Sequence, residues 1–377
     1  MLVLVGLIGS SRVNAQLEQS VFSSTGRASA TTFVTDYQCI GINPSNLGWQ
    51  PRCEGKRFAM GFAEVGLSIW SPALSKDEIR DQFLKTDKRF TEQERRDAAI
   101  KMAEEPLTIN GDVTVMGLAW SSEKIGGFGF SMHDRAQWNS SLNSTFSDIL
   151  FRGYESGYFD RWVLTNGDTV PNLQNLPPDL LAQVVTGIAS NPADPGRLFN
   201  GTTIKFNWYR EYNLSYGRQV LGNDALRLYA GLGLKYLSGM GLIDLAAANG
   251  SIQGFAAMSP YFNVDYGATQ NRPIPDSDRH FPPKQVGSGT GFDIGISAIV
   301  LDKFKFGASL NNVGSITWSG NTYGATDVQL AAYAFTGINN YNVFNNIDNI
   351  IGVHSPVQWE SGGTRSVALP SVLRLGA

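Results

Sequence analysis

Alternation of apolar and polar residues at every second position recurs along this chain, and it limits the possible folds more than any other feature. In residues 58–70, Glu64, Gly66 and Ser68 alternate with apolar side chains. Successive side chains of a β-strand point to opposite faces, so this period predicts a strand with one apolar and one polar face. The other segments with this period are 109–120, 128–138, 205–220, 226–237, 292–300, 304–310 and 365–376. We therefore expect eight antiparallel strands.

The connections between these strands alternate in length. They are tight at 121–127, 221–225 and 301–303, and long at 71–105, 139–200, 238–289 and 319–361. The alternation holds if a hairpin that we predict within 238–267, with its turn at Asn249-Gly250, belongs to the third long loop. Short turns on one side and long loops on the other are typical of outer-membrane barrels. The sequence therefore predicts an all-β fold, a transmembrane antiparallel β-barrel over residues 57–377.

The composition agrees with such a barrel. Charged residues make up 17% of the chain, against about 25% in an average soluble protein. The mean hydropathy of −0.14 argues against a bundle of transmembrane helices. A net charge of −3 gives no indication of a nucleic-acid partner. Composition alone leaves a large soluble all-β protein open as the alternative.

The N-terminal residues predict export from the cytoplasm. Residues 2–10 form an apolar run that is too short to span a bilayer, and Val13-Asn14-Ala15 resembles a signal-peptidase site before Gln16. We expect 1–15 to be a signal peptide, with a buried strand as the alternative. The basic residues that usually begin such a signal are missing, so we expect the natural chain to start further upstream. Export of a barrel predicts the bacterial outer membrane as its location and outer-membrane lipid as its surroundings.

Residues 37–49 are too few for a domain and too apolar for a solvated tail. Asn43-Pro44 is a turn signal, and Cys39 and Cys53 flank it. We predict that 16–56 form a plug in the mouth of the barrel, with its turn at Asn43-Pro44. In an oxidising compartment, a Cys39–Cys53 disulfide would hold that turn.

Three helices are predicted inside the long loops. Ser75-Lys-Asp-Glu and Thr91-Glu-Gln-Glu carry the capping-box signature, which predicts two helices within 75–104. Residues 176–187 have proline early and glycine at the end, which predicts a third helix.

Charged side chains collect on the faces of the strands that we expect to point into the barrel. Their signs are nearly balanced. They are Glu64, Asp112, His133, Arg135, Glu211, Arg227, Lys235, Asp293 and Lys305. Such a set is compatible with a catalytic or ion-conducting site. We favour a salt-bridged lumen wall that holds the plug, because charges in a narrow lumen must be paired.

The sequence shows no catalytic, metal-binding or cofactor-binding pattern. His133 is the only inward-facing histidine, and no Ser-His-Asp or paired-carboxylate spacing is visible. Three histidines and two cysteines make a catalytic metal centre improbable. No glycine-rich loop leads from a strand into a helix. We expect a protein that is not an enzyme and that needs no cofactor or metal.

Aromatic residues have two expected roles. Trp70, Trp120, Trp138 and Trp208 lie near strand ends, where a membrane-interface girdle is expected. In the loop 139–200, the apolar residues are Phe146, Phe151, Tyr154 and Tyr158. If exposed, they form a surface for a hydrophobic ligand or a protein partner. Packing against a neighbouring loop is the alternative.

Several short motifs resemble those of known barrels. They are Gly26–Ala30 followed by Ile42–Gly48, Leu310–Gly314, Leu369–Gly376 and Trp208–Gly217. Through them the chain resembles the FadL-type long-chain fatty-acid transporter superfamily. More closely, it resembles the DUF5723 barrels of Bacteroidota, which are related to the PorV-like proteins of type IX secretion. In these families the first motif precedes a hatch turn, and Leu310–Gly314 resembles a strand end.

The resemblance implies a fold and two functions. It implies a 14-stranded barrel with an N-terminal hatch, so we expect about six strands beyond Ala377. It implies passive uptake of a hydrophobic small molecule. The alternative is a non-transporting barrel that acts as a subunit of a larger outer-membrane assembly, with other outer-membrane proteins as partners. None of the ligand-binding residues of those transporters has a counterpart motif here.

Overall fold

The chain is mostly β. The computed structural model describes residues 31–49, 58–71, 91–173, 177–223, 225–262, 281–325, 337–338 and 359–377. Most of these residues lie in antiparallel strands, and helices are few. No helix in the described ranges is both long and apolar enough to cross a membrane.

The elements follow the chain in this order. The strands are β1 (Phe58–Trp70), β2 (Leu107–Ser122), β3 (Gly126–Ser141), β4 (Arg161–Leu164), β5 (Thr169–Pro171), β6 (Val184–Ile188), β7 (Thr203–Gly222), β8 (Leu226–Ala248), β9 (Ser251–Met258), β10 (Gly287–Val300), β11 (Phe304–Ala325), β12 (Gly337–Ile338), β13 (Trp359–Ala368) and β14 (Val372–Gly376). The helices are α1 (Glu92–Glu104), α2 (Ser144–Arg152), α3 (Pro178–Leu181) and α4 (Pro195–Leu198).

One antiparallel sheet contains most of the strands. Its order is β1-β2-β3-β7-β8-β10-β11-β13, with β9 paired to β8 and β11, and β14 paired to β11. β9 and β10 pair with successive parts of β8, and β13 and β14 pair with successive parts of β11. Each couple therefore occupies one strand position, and the sheet is eight positions wide. Seven of the eight predicted strands and the tight turns between them are confirmed, whereas the eighth, 365–376, is divided between β13 and β14 because residues 369–371 are not in a strand.

The predicted hairpin around Asn249-Gly250 is present, but its arms belong to the main sheet. Asn249 and Gly250 both have positive φ, at 53° and 77°, as a tight hairpin turn requires. The chain leaves the sheet at Ser259, whose N–H donates to Met240 O (2.8 Å), and returns at Val286, whose N–H donates to Gly239 O (2.8 Å). β9 thus pairs with the part of β8 after Met240 and β10 with the part before it. The predicted loop limits at 238 and 319 are therefore wrong, because β8 and β11 continue past them.

The long loop 139–200 folds into a module with its own core. Asn143 caps α2 by accepting from the N–H of Phe146 at 2.7 Å. β4, β5, β6 and β12 form a second, small sheet. Phe146 is buried, and Phe151, Tyr154 and Tyr158 are half-buried against the cores of this module and of the adjoining α1. Phe146 is buried and therefore contributes to no exposed surface, whereas a ligand or partner surface at the half-buried Phe151, Tyr154 and Tyr158 stays a prediction.

The helix predictions have mixed outcomes. Thr91 and Glu94 form the predicted reciprocal capping box at the start of α1. The helix predicted to begin at Ser75 lies outside the described residues. The helix predicted over 176–187 is wrong, because only α3 is helical there and 184–188 form β6. The β-branched residues Val184, Val185 and Thr186 favour a strand, and β4 supplies its partner.

The two faces of the main sheet have opposite character. Ile296 on β10 and Leu234 on β8 are 58% and 57% exposed. Asp293 and Lys235, on the same two strands, are 0% and 3% exposed. Large apolar side chains of β1, β3, β7, β11 and β14 are exposed in the same way. The apolar face is therefore outside and the polar face is buried, the reverse of a water-soluble sheet.

Residues 31–49, called here the N-terminal segment, cover the polar face. The segment consists of three short 3₁₀ turns, at Thr31–Phe33, Asp36–Cys39 and Pro44–Gly48. Tyr37 donates to Glu64 on β1 at 2.6 Å, and Thr32 packs against Gly376 on β14. Nineteen residues thus touch both edges of a sheet eight positions wide, which means that the sheet curves around the segment.

A row of four glycines allows the segment to approach the sheet closely. The residues are directly paired across β3, β7, β8 and β10, and they are Gly127, Gly217, Gly231 and Gly295. A Cβ atom at any of them would collide with the backbone or side chain of Asn43, Pro44 or Leu47. Glycine is required along this row because the turn of the segment lies directly on the strands.

The glycine row gives a first prediction. Gly231→Ala should lower the unfolding free energy by about 1–3 kcal/mol, because the added methyl group would collide with Pro44 where the turn packs on β8. Gly324→Ala on β11 is the matched control, because no atom lies within 4 Å of its added Cβ. Denaturant unfolding followed by tryptophan fluorescence measures both variants. Equal denaturation midpoints for the two variants would show that the glycine row does not determine how closely the N-terminal segment packs on the sheet.

Candidate functional site

Five charged side chains of alternating sign form a continuous series on the buried face. Arg135 Nε lies 3.2 Å from Asp112 Oδ2, and Arg135 Nη1 lies 3.0 Å from Glu211 Oε2. Lys235 Nζ lies 3.2 Å from Glu211 Oε1 and 3.0 Å from Asp293 Oδ1. The five residues come from β2, β3, β7, β8 and β10, one from each strand. We call this series the ion-pair chain.

The ion-pair chain is almost completely removed from solvent. The side chain of Asp112, at one end, is 12% exposed, whereas those of Lys235 and Asp293, at the other, are 0% exposed. Burying a charge costs several kcal/mol unless an opposite charge and hydrogen bonds compensate it. The alternation of sign supplies a partner to each charge in turn. The predicted salt-bridged wall is therefore present for these five residues.

One histidine and two asparagines form hydrogen bonds at the two ends of the ion-pair chain. His133 Nδ1 lies 3.0 Å from Asp112 Oδ1. Asp293 accepts from Asn213 Nδ2 and from the N–H of Asn312, both at 2.9 Å, and Lys235 donates to Asn312 Oδ1. Asn213 and Asn312 were missed as site residues, since only charged residues were selected. Asn213 shares the inward face with Glu211, so the two-residue period does identify it.

Asn312 owes its position to a bulge in β11. Its φ is +59°, and the register of β10 against β11 shifts at this point. Asparagine tolerates this left-handed conformation better than most residues, which allows the backbone N–H to turn toward Asp293. The motif Leu310–Gly314 therefore lies within β11, and the expectation that it ends a strand is wrong.

Three other predicted wall residues lie outside the ion-pair chain. Glu64 accepts from the hydroxyl of Tyr37. Arg227 pairs with Asp302 in a tight turn. Lys305 Nζ lies 5.3 Å from the ring centroid of Trp49 in the N-terminal segment.

The turn of the N-terminal segment is held by buried polar contacts. Asn43 precedes Pro44, and its side chain accepts from the Oγ of Ser45 at 2.7 Å. The Oγ atoms of Ser45 and Ser297 on β10 are 2.7 Å apart. Next to them, Ile42 O accepts from Ser309 Oγ (2.6 Å) and Asn311 Nδ2 (2.8 Å) of β11. The predicted turn at Asn43-Pro44 is confirmed.

Cys39 lies at the centre of the segment. It is 0% exposed, and its Sγ donates to Asp36 O at 3.0 Å. Burial raises the pKa of the Cys39 thiol well above its usual range, and the charge of Asp36 acts in the same direction. The thiol is free in the structure. Cys53 lies outside the described residues, so the Cys39–Cys53 disulfide stays a prediction.

These contacts show what the arrangement can do chemically. The carboxylates of the ion-pair chain are engaged by cations and amides, and Arg135 Nη2 lies close to Gly41 of the segment. No group of three or more metal-ligating side chains occurs within the described ranges. The geometry is that of an electrostatic clamp that ties five strands together beneath the N-terminal segment.

A family model described as a family of unknown function, DUF5723, matches residues 165–377, which is more than half of the chain. The chain belongs to the DUF5723 family. The DUF5723 match includes β7 to β14 and thus Glu211, Lys235 and Asp293 of the ion-pair chain, whereas the N-terminal segment and β1–β3 precede the matched range. Comparison of this DUF5723 protein with curated proteins and with solved structures found no match in either set.

The ion-pair chain gives a second prediction. Lys235→Met should lower the unfolding free energy by about 3–5 kcal/mol, because Glu211 and Asp293 lose the buried cation between them. Adding Asp293→Asn should recover part of this loss by removing one uncompensated charge. Denaturant unfolding of the purified protein measures both effects.

Arg227→Met is the matched control for this series. It removes a cation from the same strand, but the Arg227–Asp302 pair is partly exposed, so the expected cost is below about 1 kcal/mol. If the unfolding free energy of Lys235→Met falls no further than that of Arg227→Met, the ion-pair chain does not stabilise the sheet.

Proposed function

We propose that the main sheet is part of the wall of a transmembrane β-barrel in the bacterial outer membrane, and that the N-terminal segment is its plug. The exposed apolar face supports this, because a continuous apolar surface over so many strands is unfavourable in water. Outer-membrane barrels alternate apolar residues toward lipid with polar residues toward the lumen. Closure of the barrel follows from the cost of an unpaired strand edge in lipid.

Aromatic side chains support the same location. On β3, Phe128 and Trp138 share the outward face and lie ten residues apart, with the Asp134–Arg210 ion pair on the same face between them. At about 3.3 Å per residue they are about 33 Å apart along the strand. A strand tilt of about 40° converts this to about 25 Å, the height of the apolar band of such barrels. Tyr216 lies beside Phe128 and Trp208 beside Phe262, with ring centroids 4.8 and 5.3 Å apart. These rings fit two interfacial girdles.

The function that this geometry supports best is a closed barrel that acts as a membrane-embedded subunit of a larger outer-membrane assembly. One observation carries the proposal: Asn43, Ser45 and Asn46 of the plug are all 0% exposed and lie against the wall. A plug held in this way favours a barrel that is closed at rest over an open pore. The folded module of residues 139–200, with its own core, supports a role in docking a partner protein.

Passive uptake of a hydrophobic small molecule is the second proposal, and a different observation favours it. An apolar cluster lies on the loop side of the ion-pair chain, where Trp318 packs against Gly239 and Gly287 and Leu237 is also fully buried. An apolar patch of this kind suits a lipid-like ligand. Uptake requires that both this cluster and the plug move apart.

The membrane location gives a third prediction. Leu234→Arg on the exposed apolar face should destabilise the folded barrel in bilayers by about 2–4 kcal/mol, because a charge then faces lipid. Leu301→Arg in a tight turn is the matched control and should have little effect, since Leu301 is exposed outside the strands. Folding into vesicles is measured by the heat-dependent shift in gel mobility. Equal folding of the two variants would argue against a lipid-facing sheet.

The assembly function gives a fourth prediction. The wild-type protein, reconstituted into planar bilayers, should show no conductance steps, and it should purify from mild detergent with a partner protein at fixed stoichiometry. A variant without the α2 segment 144–152 should lose the partner while the barrel stays folded. A protein that purifies alone and retains a lipid-like molecule would instead support uptake.

A further inference from the structure

The buried face of the sheet is filled unevenly. Over β8 to β11 the apolar cluster around Trp318 covers it. Over β1 to β3 a narrow cleft remains, and apart from Leu67 its lining is glycine or polar. The cleft is lined by Gly66, Leu67, Ser68, Asn110, Gly111, Asp112, Arg135 and Gln137. It reaches the more exposed end of the ion-pair chain, at Asp112.

The same side of the sheet continues as a polar seam toward the tight turns. In the register of β1 against β2, Gly66 faces Asp112, Glu64 faces Thr114, and Gly61 faces Gly117. From the cleft to the Gly61–Gly117 pair, the side chains on the buried face are thus carboxylates, hydroxyls or glycine. A row of this composition offers hydrogen-bonding groups along its length and has space where glycine replaces a side chain.

One side chain of the N-terminal segment closes the seam. The ring of Tyr37 occupies the space over Gly61 and Gly117, where an added Cβ would lie 2.5 Å from Tyr37 Cζ and Cδ2 respectively. Its hydroxyl donates to Glu64 Oε1 at 2.6 Å and accepts from Gln38 Nε2 at 3.4 Å. The tyrosine is therefore fixed at both its ring and its hydroxyl.

We infer that this β1–β3 seam is a passage for small hydrophilic solutes, cations in preference to anions, and that Tyr37 is the side chain that closes it. The preference follows from Glu64, because its carboxylate loses the Tyr37 hydroxyl when the ring moves and then favours cations in a pore, whereas Asp112 stays paired with Arg135. The lining differs from that needed for a hydrophobic solute, which lacks groups to pair with Ser68 or Asn110.

The closing contact is stable over the physiological pH range. Burial, together with the hydrogen bond to Glu64, raises the pKa of Tyr37 to about 12. The hydroxyl therefore stays protonated and continues to donate. Opening of the seam therefore depends on movement of the tyrosine and not on its deprotonation.

This inference goes beyond the closed barrel proposed above and describes where that barrel opens. The test is planar-bilayer conductance in potassium chloride, using the full chain. The wild type should be silent, whereas Tyr37→Ala should show discrete conductance steps. Ile40→Ala is the matched control, because the Ile40 side chain lies on Gly129 of β3 and not on Gly61 or Gly117, and this variant should be silent.

Two further variants sharpen the test. Adding Gly117→Phe to Tyr37→Ala places a ring in the vacated space and should abolish the conductance. Adding Glu64→Gln to Tyr37→Ala should keep the conductance but lower the permeability ratio of potassium to chloride. The heat-dependent mobility shift shows that each variant is folded.

The outcomes separate this inference from the proposed function. A folded but silent Tyr37→Ala overturns the passage and leaves the closed barrel intact. Equal conductance of Tyr37→Ala and Ile40→Ala also overturns it, because general loosening of the plug then explains the current. Conductance of the wild type contradicts the closed barrel itself.

Discussion

Burial of the polar face is the constraint on which the rest of this structure depends. The sheet has its apolar side chains outside, so its polar and charged side chains must find partners within the molecule. The N-terminal segment and the ion-pair chain supply them by different means. The segment brings backbone carbonyls and hydroxyls to β10 and β11, and the ion-pair chain matches each charge with its neighbour. Each solution removes polar groups from solvent without leaving a charge uncompensated.

The two solutions depend on each other. The glycine row brings the turn of the segment directly onto the strands, and the segment lies beside the ion-pair chain at Arg135 and Gly41. A gap between segment and sheet would admit water and weaken the charge interactions, which are strongest where water is absent. The close packing of the turn on the strands therefore contributes to the strength of the ion pairs.

The buried face is apolar and tightly packed in one part and polar in another, and under the proposals made above this difference determines where the barrel opens. Where the apolar cluster fills the space, the interior is tightly packed. Where only Tyr37 intervenes, the interior is polar and is closed by one ring and one hydrogen bond. A barrel of this design is closed at rest and has a defined position at which a small displacement of the segment has the largest effect.

Local sequence patterns were sufficient to predict most of the strands, the tight turns and the place of the Asn43-Pro44 turn. These features depend on local signals: the two-residue period, glycine and asparagine in turns, and the capping box at Thr91. The sequence also showed that the charged residues share one face, because alternation along a strand is a local property. It failed at 184–188, where pairing with β4 outweighed the helix signals.

Which of the charged side chains form ion pairs could not be predicted from these patterns, because it depends on the folded sheet. Arg135 and Glu211 are separated in the chain by the whole loop module, and their contact depends on the register of β3 against β7. Register depends in turn on bulges such as the one at Asn312, which no local pattern specifies. The burial of Phe146 and the closure of the seam by Tyr37 likewise required the fold. Such contacts form between residues distant in sequence, so their geometry exists only after the sheet is assembled.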